Sequence, residues 1–360
     1  MLGLYIHIPF CKQKCPYCNF YSSPANTQKV QAYFEALHTH LSQWAKDEDR
    51  VVNTIYFGGG TPGLFPEKIA QTVAHIRSCF DVAEECEISI EANPGAIDKS
   101  GLCAVRQAGV NRLSFGVQSA SEKDLAALGR IHTVAQAKES IAMAKAAGFD
   151  NISVDFMLAT PGQDMGAVED MRAFLREADP THVSAYMLKV EPDTPFGKMG
   201  DKLVLPDEDT VADLYEATCE MLAELGYAQY EVSNFAKDGY TCRHNLKYWD
   251  FEDYLGVGPG AHSMYKGKRF YYPSDTDAFI AGGIDAVVFD GVPDTDEYIM
   301  LQLRKSEGLD TALLADGEEV LQRAQKFNKY GLCTIDGTRV ALTVKGFLVS
   351  NMVIAQLLYG

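Results

Sequence analysis

The fold of this chain turns on its opening residues. Leu2-Gly3-Leu4-Tyr5-Ile6-His7-Ile8 is followed by Pro9-Phe10-Cys11-Lys12-Gln13-Lys14-Cys15-Pro16-Tyr17-Cys18. The apolar run Leu2 to Ile8 reads as a first β-strand. A dinucleotide-binding domain would place its glycine fingerprint directly after that strand. Cysteines stand there instead. The start lacks the basic segment and small-residue cleavage site of a secretory signal, so the expectation is a chain that stays in the cytoplasm.

Outward from that strand the same pattern recurs. Val51 to Phe57, Glu87 to Glu91, Arg112 to Val117, Ile152 to Leu158 and Val183 to Leu188 read as further strands. Between them lie amphipathic stretches at Val30–Ala45, Ile69–Phe80, Val134–Ala147, Val168–Ala178 and Val211–Leu225. Gly109, Gly148 and Gly226 fall where helices should stop. Serial βα units make a parallel sheet covered by helices. The fold class expected is therefore α/β, a partial (βα)6 TIM-like barrel with its chemistry at the carboxyl ends of the strands. The barrel is assigned to residues 1–235. Residues 236–290, rich in Gly, Tyr, His and Lys with little periodicity, are assigned to a linking region. Residues 291–360 form a third unit: helices over 296–304 and 318–330, an apolar hairpin around Asp336-Gly337, and a last helix over 344–358. That order suggests a small winged-helix-like α+β domain.

Composition excludes some classes of function. The 360 residues carry Lys+Arg 32 against Asp+Glu 49, a formal net charge of -17. Such an excess of acid argues against a nucleic-acid partner. The chain is 47% hydrophobic and 22% charged, ordinary for a globular protein, and no apolar run reaches the roughly 18 residues needed to span a bilayer.

Nine cysteines, an odd number scattered over a long chain, make a poor disulfide framework. Cys11, Cys15 and Cys18 are different, three thiols within eight residues on the loop leaving the first strand. Thiolates select zinc, copper(I) or iron–sulfur. Structural zinc wants four ligands, and no second pair lies nearby. A [4Fe-4S] cluster also needs four iron ligands, so three cysteines leave either a fourth ligand from elsewhere or one open iron. Gly58-Gly59-Gly60-Thr61-Pro62, at the end of the second strand, lets backbone approach a ligand closely. Glu91, Gln118 and Asp155 lie near carboxyl ends of successive strands, and Arg130 follows a short helix. Polar groups buried there need a ligand or each other.

The spacing Cys-x3-Cys-x2-Cys, with Tyr17 before the third cysteine, resembles the radical S-adenosylmethionine superfamily. The resemblance implies a partial barrel in which Cys11, Cys15 and Cys18 bind [4Fe-4S] and S-adenosylmethionine chelates the fourth iron. It implies that Gly58, Gly59, Gly60 and Thr61 hold the methionine amino group. Glu91 and Arg130 would handle the charged methionine end, Gln118 and Asp155 the ribose. Phe20 would pack by the adenine and Tyr5 would stand beside cofactor and substrate.

Further motifs, Tyr230 to Ala236, His244-Asn245-x-x-Tyr248-Trp249 and Gly256 to Ser263, look like one branch of that superfamily. It contains oxygen-independent coproporphyrinogen III oxidase and a related heme chaperone that lacks the oxidase activity. The oxidase carries a further cysteine two residues beyond the third, where this chain has Phe20, and a long leader before the cluster loop. Both departures, and the His-Asn-x-x-Tyr-Trp motif, point to heme binding and transfer to an acceptor protein. The alternative is the oxidase reaction, in which a 5'-deoxyadenosyl radical initiates decarboxylation of propionate side chains. Cleavage of S-adenosylmethionine would in either case need a reducing electron donor.

The local chemistry suits a heme. His244 offers an imidazole, with Cys242 and His262 as alternative ligands. Tyr248 and Trp249 offer flat apolar surface. Lys237, Arg243 and Lys247 could receive propionates. The resemblance points to a monomer, and a heme carrier is compatible with an acceptor at a membrane surface.

Overall fold

The computed structural model describes residues 1–24, 26–46, 48 and 50–360. The strands of the repeating units are β1 (Leu2–Ile8), β2 (Val52–Gly59), β3 (Val82–Ala92), β4 (Arg112–Gln118), β5 (Asn151–Leu158) and β6 (His182–Met187). Helices α1 (Thr27–Ala45), α2 (Pro66–Cys79), α3 (Lys99–Gln107), α4 (Glu122–Ala127), α5 (Val134–Ala146), α6 (Gly166–Ala178), α7 (Pro195–Met199) and α8 (Glu208–Glu224) alternate with or follow them. Their starts are written locally. Asn26 accepts from Gln28 and Lys29 N–H, Asp98 from Gly101, and Thr133 with Gln136 forms a capping box. Gly109, Gly148 and Gly226 all take positive φ just beyond helix ends, as expected.

β1 to β6 are parallel neighbours in strict chain order. With no reversal of order and right-handed crossovers, every connecting helix lands on the same face. α1, α2, α3, α5, α6 and α8 accordingly pack each against the next. The strand period of two then sorts the side chains. Leu4, Ile6, Ile55, Phe57, Ile88, Ile90, Leu113 and Phe115 are fully buried within the hydrophobic core. Tyr5, His7, Thr54, Tyr56, Glu87, Glu91, Arg112 and Asp155 alternate with them on the inner face of the open barrel, which is thus polar.

The structure corrects the assignment of residues 236–290 to a linker. After the antiparallel pair β7 (Ala228–Glu231) and β8 (Asn234–Ala236) on β6, the chain forms α9 (Arg243–Trp249). It then lays β9 (Tyr254–Val257) parallel on the free edge of β1, with Gly3 opposite Tyr254 and Ile6 opposite Val257. β10 (His262–Tyr265), β11 (Lys268–Tyr271), α10 (Thr276–Ala281) and β12 (Val288–Gly291) follow, the strands antiparallel. Among the described residues one sheet of twelve strands runs β12-β11-β10-β9-β1-β2-β3-β4-β5-β6-β8-β7. These late strands span four residues each, too few for a period to show, so the sequence reads as irregular there.

α9 seals the amino-terminal half of the lumen. Glu87 on β3 accepts the His244 N–H at Oε1 and the Arg243 N–H at Oε2, both at 3.0 Å. It does from another strand what an N-cap side chain does locally.

The last unit contains α11 (Thr295–Gln302), β13 (Leu309–Asp310), α12 (Gly317–Lys329), β14 (Cys333–Asp336), β15 (Arg339–Leu342), α13 (Val344–Leu348) and α14 (Ser350–Tyr359). Its sheet runs β13-β15-β14. The single final helix expected is two, because Val349 leaves the helical region at φ −116°, ψ 23°. Gln302 Nε2 donates to Trp249 O at 2.7 Å and Lys305 pairs with Asp250, so this unit rests directly on the end of α9. Among the described residues no helix is long and apolar enough to cross a membrane.

Glu87→Ala would leave two N–H groups of α9, that of His244 buried, without their acceptor. Thermal melting should show a loss of about 2–4 kcal/mol, with Glu87→Gln losing less.

Candidate functional site

The cysteine loop is closed at its base by a two-residue parallel bridge, Phe10 opposite Ser23 and Cys11 opposite Pro24. Cys11, Cys15 and Cys18 are free thiols of intermediate exposure. Burial pushes the Cys18 thiol up, and the nearby Cys15 and Cys11 push in the same direction. Among the described residues no three His, Cys, Asp or Glu side chains are arranged to hold one metal ion.

A chain of hydrogen bonds running from Cys11 to Cys15 ties this loop to the strand ends. Thr61 Oγ1 donates to Cys11 Sγ at 3.5 Å, and Asn93 Nδ2 donates to Thr61 Oγ1 at 3.0 Å. Arg130 Nη2 donates to Asn93 Oδ1 at 2.6 Å and to Gly116 O at 2.7 Å. Arg130 Nη1 returns to Cys15 Sγ at 3.3 Å and Tyr17 OH at 3.5 Å. Arg130 thus faces the sulfur atoms while touching the cleft.

That cleft has a volume of about 380 Å³, within the size range of small-molecule sites. Cys11, Cys15, Cys18, Phe20, Gly59, Gly60, Thr61, Glu91, Gln118, Arg130 and Asp155 all line it. Glu91 accepts from Tyr56 OH at 2.9 Å and from Gly59 N–H at 3.2 Å. Burial, then the nearby Asp155, pushes its carboxyl up to about 7. Burial also raises Asp155, against hydrogen bonds from Ser184 and Ser114, the latter at 3.3 Å. Gln118 sits at φ 71°, where a bulge ends β4. A non-glycine residue in that region is strained, and such strain concentrates at functional sites.

The glycines act mainly by close approach. Gly59 has φ +105°, and a Cβ there would lie 2.5 Å from the His7 ring. A Cβ on Gly60 would lie 2.5 Å from Phe10 O and 2.7 Å from Ile8 O. Gly60 N–H and Thr61 N–H donate to those same strand-end carbonyls of Ile8 and Phe10, each at 2.8 Å. The motif therefore locks the end of β2 onto the base of the cysteine loop. Gly58 lies behind the cleft wall, between Tyr5, Tyr56 and Glu91.

Other expected residues fall elsewhere. Tyr5 is not at the cleft; its hydroxyl pairs with His7 Nδ1 at 3.0 Å, and Tyr56 takes the lining position. Phe20 reaches the cleft mouth but is 68% exposed rather than packed. His244 is fully buried. Its Nδ1 pairs with Thr54 Oγ1 at 2.8 Å and its Nε2 with Tyr248 OH at 2.9 Å, while its ring stacks on Tyr56. Both nitrogens are taken, which corrects the expectation of an available imidazole. Burial pushes His244 down to about 3. Tyr248 packs edge-on against Tyr254, and Trp249 is half-buried. Cys242 is buried beside Glu87, whereas His262 is exposed with its ring stacked on Tyr271. Lys237 pairs with Asp179 and Lys247 with Glu252; Arg243 donates to Glu85 O and stays exposed.

Sequence reasoning passed over Tyr56, Asn93 and Arg112. Each is a polar residue on or just beyond an otherwise apolar strand, and period-two alternation would have flagged Tyr56 and Arg112.

An unreversed (βα)6 sheet with three thiols at the mouth of a polar cleft defines a radical S-adenosylmethionine protein. The radical SAM superfamily pattern matches residues 5–175, and the HemN C-terminal domain pattern matches residues 295–349. The chain belongs to the HemW family. It is 43% identical to the heme chaperone HemW of Escherichia coli strain K12 over 72% of this chain and 69% of that protein. It is 35% identical to the heme chaperone HemW of Mycobacterium tuberculosis strain H37Rv over 99% of this chain and 94% of that one. Among solved structures, coproporphyrinogen III oxidase (HemN) from Escherichia coli, described as a radical SAM enzyme, shares the fold. The TM-score is 0.83 at 23% identity, covering 99% of this chain and 89% of that one.

The Glu91 carboxyl, raised from 4.5 to about 7 in the fold, binds its proton more tightly when folded. Its contribution is full below pH 4.5 and is lost as pH rises to about 7, on the order of 3 kcal/mol. Glu91→Gln should flatten that slope, so melting curves at pH 8 should show the variant more stable than the parent, with little difference at pH 4.5.

Proposed function

We propose that this protein binds heme and passes it to an acceptor protein, and that Cys11, Cys15 and Cys18 hold a [4Fe-4S] cluster with S-adenosylmethionine at its open iron. The observation that carries the heme reading is similarity along almost the whole chain to relatives named heme chaperones. The residues fit the cluster. Three free thiols share one short loop at the mouth of a cleft, and soft thiolates are the donor set that iron–sulfur clusters use. A cube carries its irons at separate corners, so its thiolates need not converge on a point as ligands of a single ion do.

When bound, such a cluster supplies an open iron for chelation and a route for one electron. The chain's own groups do the rest. Arg130 and Thr61 direct donors at two of the sulfurs. Glu91, Gln118 and Asp155 line the same cleft as the thiols and serve as polar partners for the amino acid and ribose of the cofactor. The cytoplasm, a monomeric state, an electron donor and the acceptor belong to the same proposal.

Of the three heme ligands considered, His262 is the exposed one, and it is the ligand proposed for this conformation. Ligation by His244 would need the Thr54 and Tyr248 hydrogen bonds to break. Arg243 is the basic side chain of the three left without an acidic partner among the described residues, and serves as the propionate contact.

Anaerobically reconstituted protein should carry about four iron and four sulfide per chain, lost when Cys11, Cys15 and Cys18 are changed to Ala. Added heme should give a Soret band that His262→Ala weakens or shifts. A folded His244→Ala that loses the band while His262→Ala keeps it would move the ligand to His244. Absence of any Soret band in the parent would end the heme reading, and decarboxylation of coproporphyrinogen III would establish the oxidase instead.

A further inference from the structure

Arg112, the first residue of β4, points into the barrel and lines the cleft floor, yet is only 1% exposed. Among the described residues nothing accepts a hydrogen bond from its Nε or Nη1. A buried guanidinium left in that state is costly. We propose that Arg112 anchors a carboxylate-binding subsite at the floor of the cleft, completed when a ligand's carboxylate arm enters the lumen. The proposal rests on the heme and S-adenosylmethionine reading above for the identity of that ligand.

The carboxylates around Arg112 do not satisfy it. Both oxygens of Glu87 accept N–H groups of α9. Glu91 is engaged by Tyr56 and Gly59, and Asp155 by Ser114 and Ser184. Burial works against the charge of Arg112, and nearby groups, Cys242 and then Glu87, keep it protonated, but a nearby charge is not a filled hydrogen bond. Two neutral groups stand beside it. Ser89 lies directly opposite Arg112 in the β3–β4 register, and its Oγ is likewise buried without a partner among the described residues. Asn245, on α9, lines the same cavity.

This set selects a carboxylate. The planar fork of a guanidinium matches two coplanar oxygens, and Asn245 adds a neutral donor at the wall of the cavity. A dianionic phosphate would place a second charge against Glu91 and Asp155, whereas a carboxylate brings only one. Two sources carry such a group, a propionate of the tetrapyrrole and the α-carboxylate of S-adenosylmethionine.

The test uses full-length, anaerobically reconstituted protein, with Arg112→Gln and Arg112→Lys as variants. Heme, heme dimethyl ester in the same detergent, and S-adenosylmethionine are titrated separately, by Soret absorbance for the first two and equilibrium dialysis for the third. Arg112→Gln should weaken one carboxylate ligand about ten- to hundredfold, with Arg112→Lys between. A loss confined to heme, with the ester unchanged, assigns the subsite to a propionate. A loss confined to S-adenosylmethionine assigns it to the amino-acid carboxylate. Unchanged binding of all three by a folded Arg112→Gln overturns the proposal. If that variant does not fold, the parent decides. Sodium propionate should raise its melting temperature saturably beyond sodium chloride at equal ionic strength, and no such excess overturns the subsite. A parent that shows no Soret band removes the heme reading alone, because the dialysis and propionate measurements still judge Arg112.

Discussion

The organisation of this molecule depends on one constraint, that six parallel strands follow one another in space without a reversal of order. Right-handed crossovers then put every covering helix on the same side. The outer face of each strand must be apolar to meet them, and the inner face has no helix layer to meet. Period-two alternation turns that difference into chemistry, with Ile88 and Ile90 outward and Glu87, Ser89 and Glu91 inward on a single strand. A doubly wound sheet of the same strands would have buried both faces under helices and left its ligand only a crevice at the switch point.

A polar lumen needs to be closed at one end and equipped at the other. α9 closes the amino-terminal half, held by Glu87 at its first turn and by His244 between Thr54 and Tyr248. The His-Asn-x-x-Tyr-Trp motif is therefore first of all a structural plug, with Asn245 turned to the cleft and Trp249 bound through its carbonyl to the carboxyl-terminal unit. At the other end, Thr61, Asn93 and Arg130 carry the loop sulfurs on the ends of β2, β3 and the segment after α4. Three separate βα units meet there, so the geometry of the thiols is set by the sheet rather than by the loop alone.

Much of this was legible in the sequence. The six parallel strands were readable because their apolar runs are long enough for a pattern, and the cysteine spacing marked its site without help from the fold. Gln118, Asp155 and Glu91 could be singled out because polar residues interrupt apolar strands there, and all three line the cleft. The four strands added to the sheet on the β1 side were not legible. β9, at four residues, becomes a strand only by pairing with β1, a contact across some 250 residues of chain whose register no local pattern encodes.

Residue types and spacings by themselves determined the class of chemistry, because soft thiolates in a tight run and glycines at a strand end restrict what can bind whatever surrounds them. They also determined the strands, because burial against helices requires an apolar period. Only the tertiary structure decided which polar side chains are available. His244 and Arg112 are both buried polar residues, yet one has both ring nitrogens hydrogen-bonded while the other, among the described residues, has no acceptor for its Nε or Nη1. That difference arises from which side chains distant segments bring within about 3 Å, a distance criterion that no one-dimensional pattern contains.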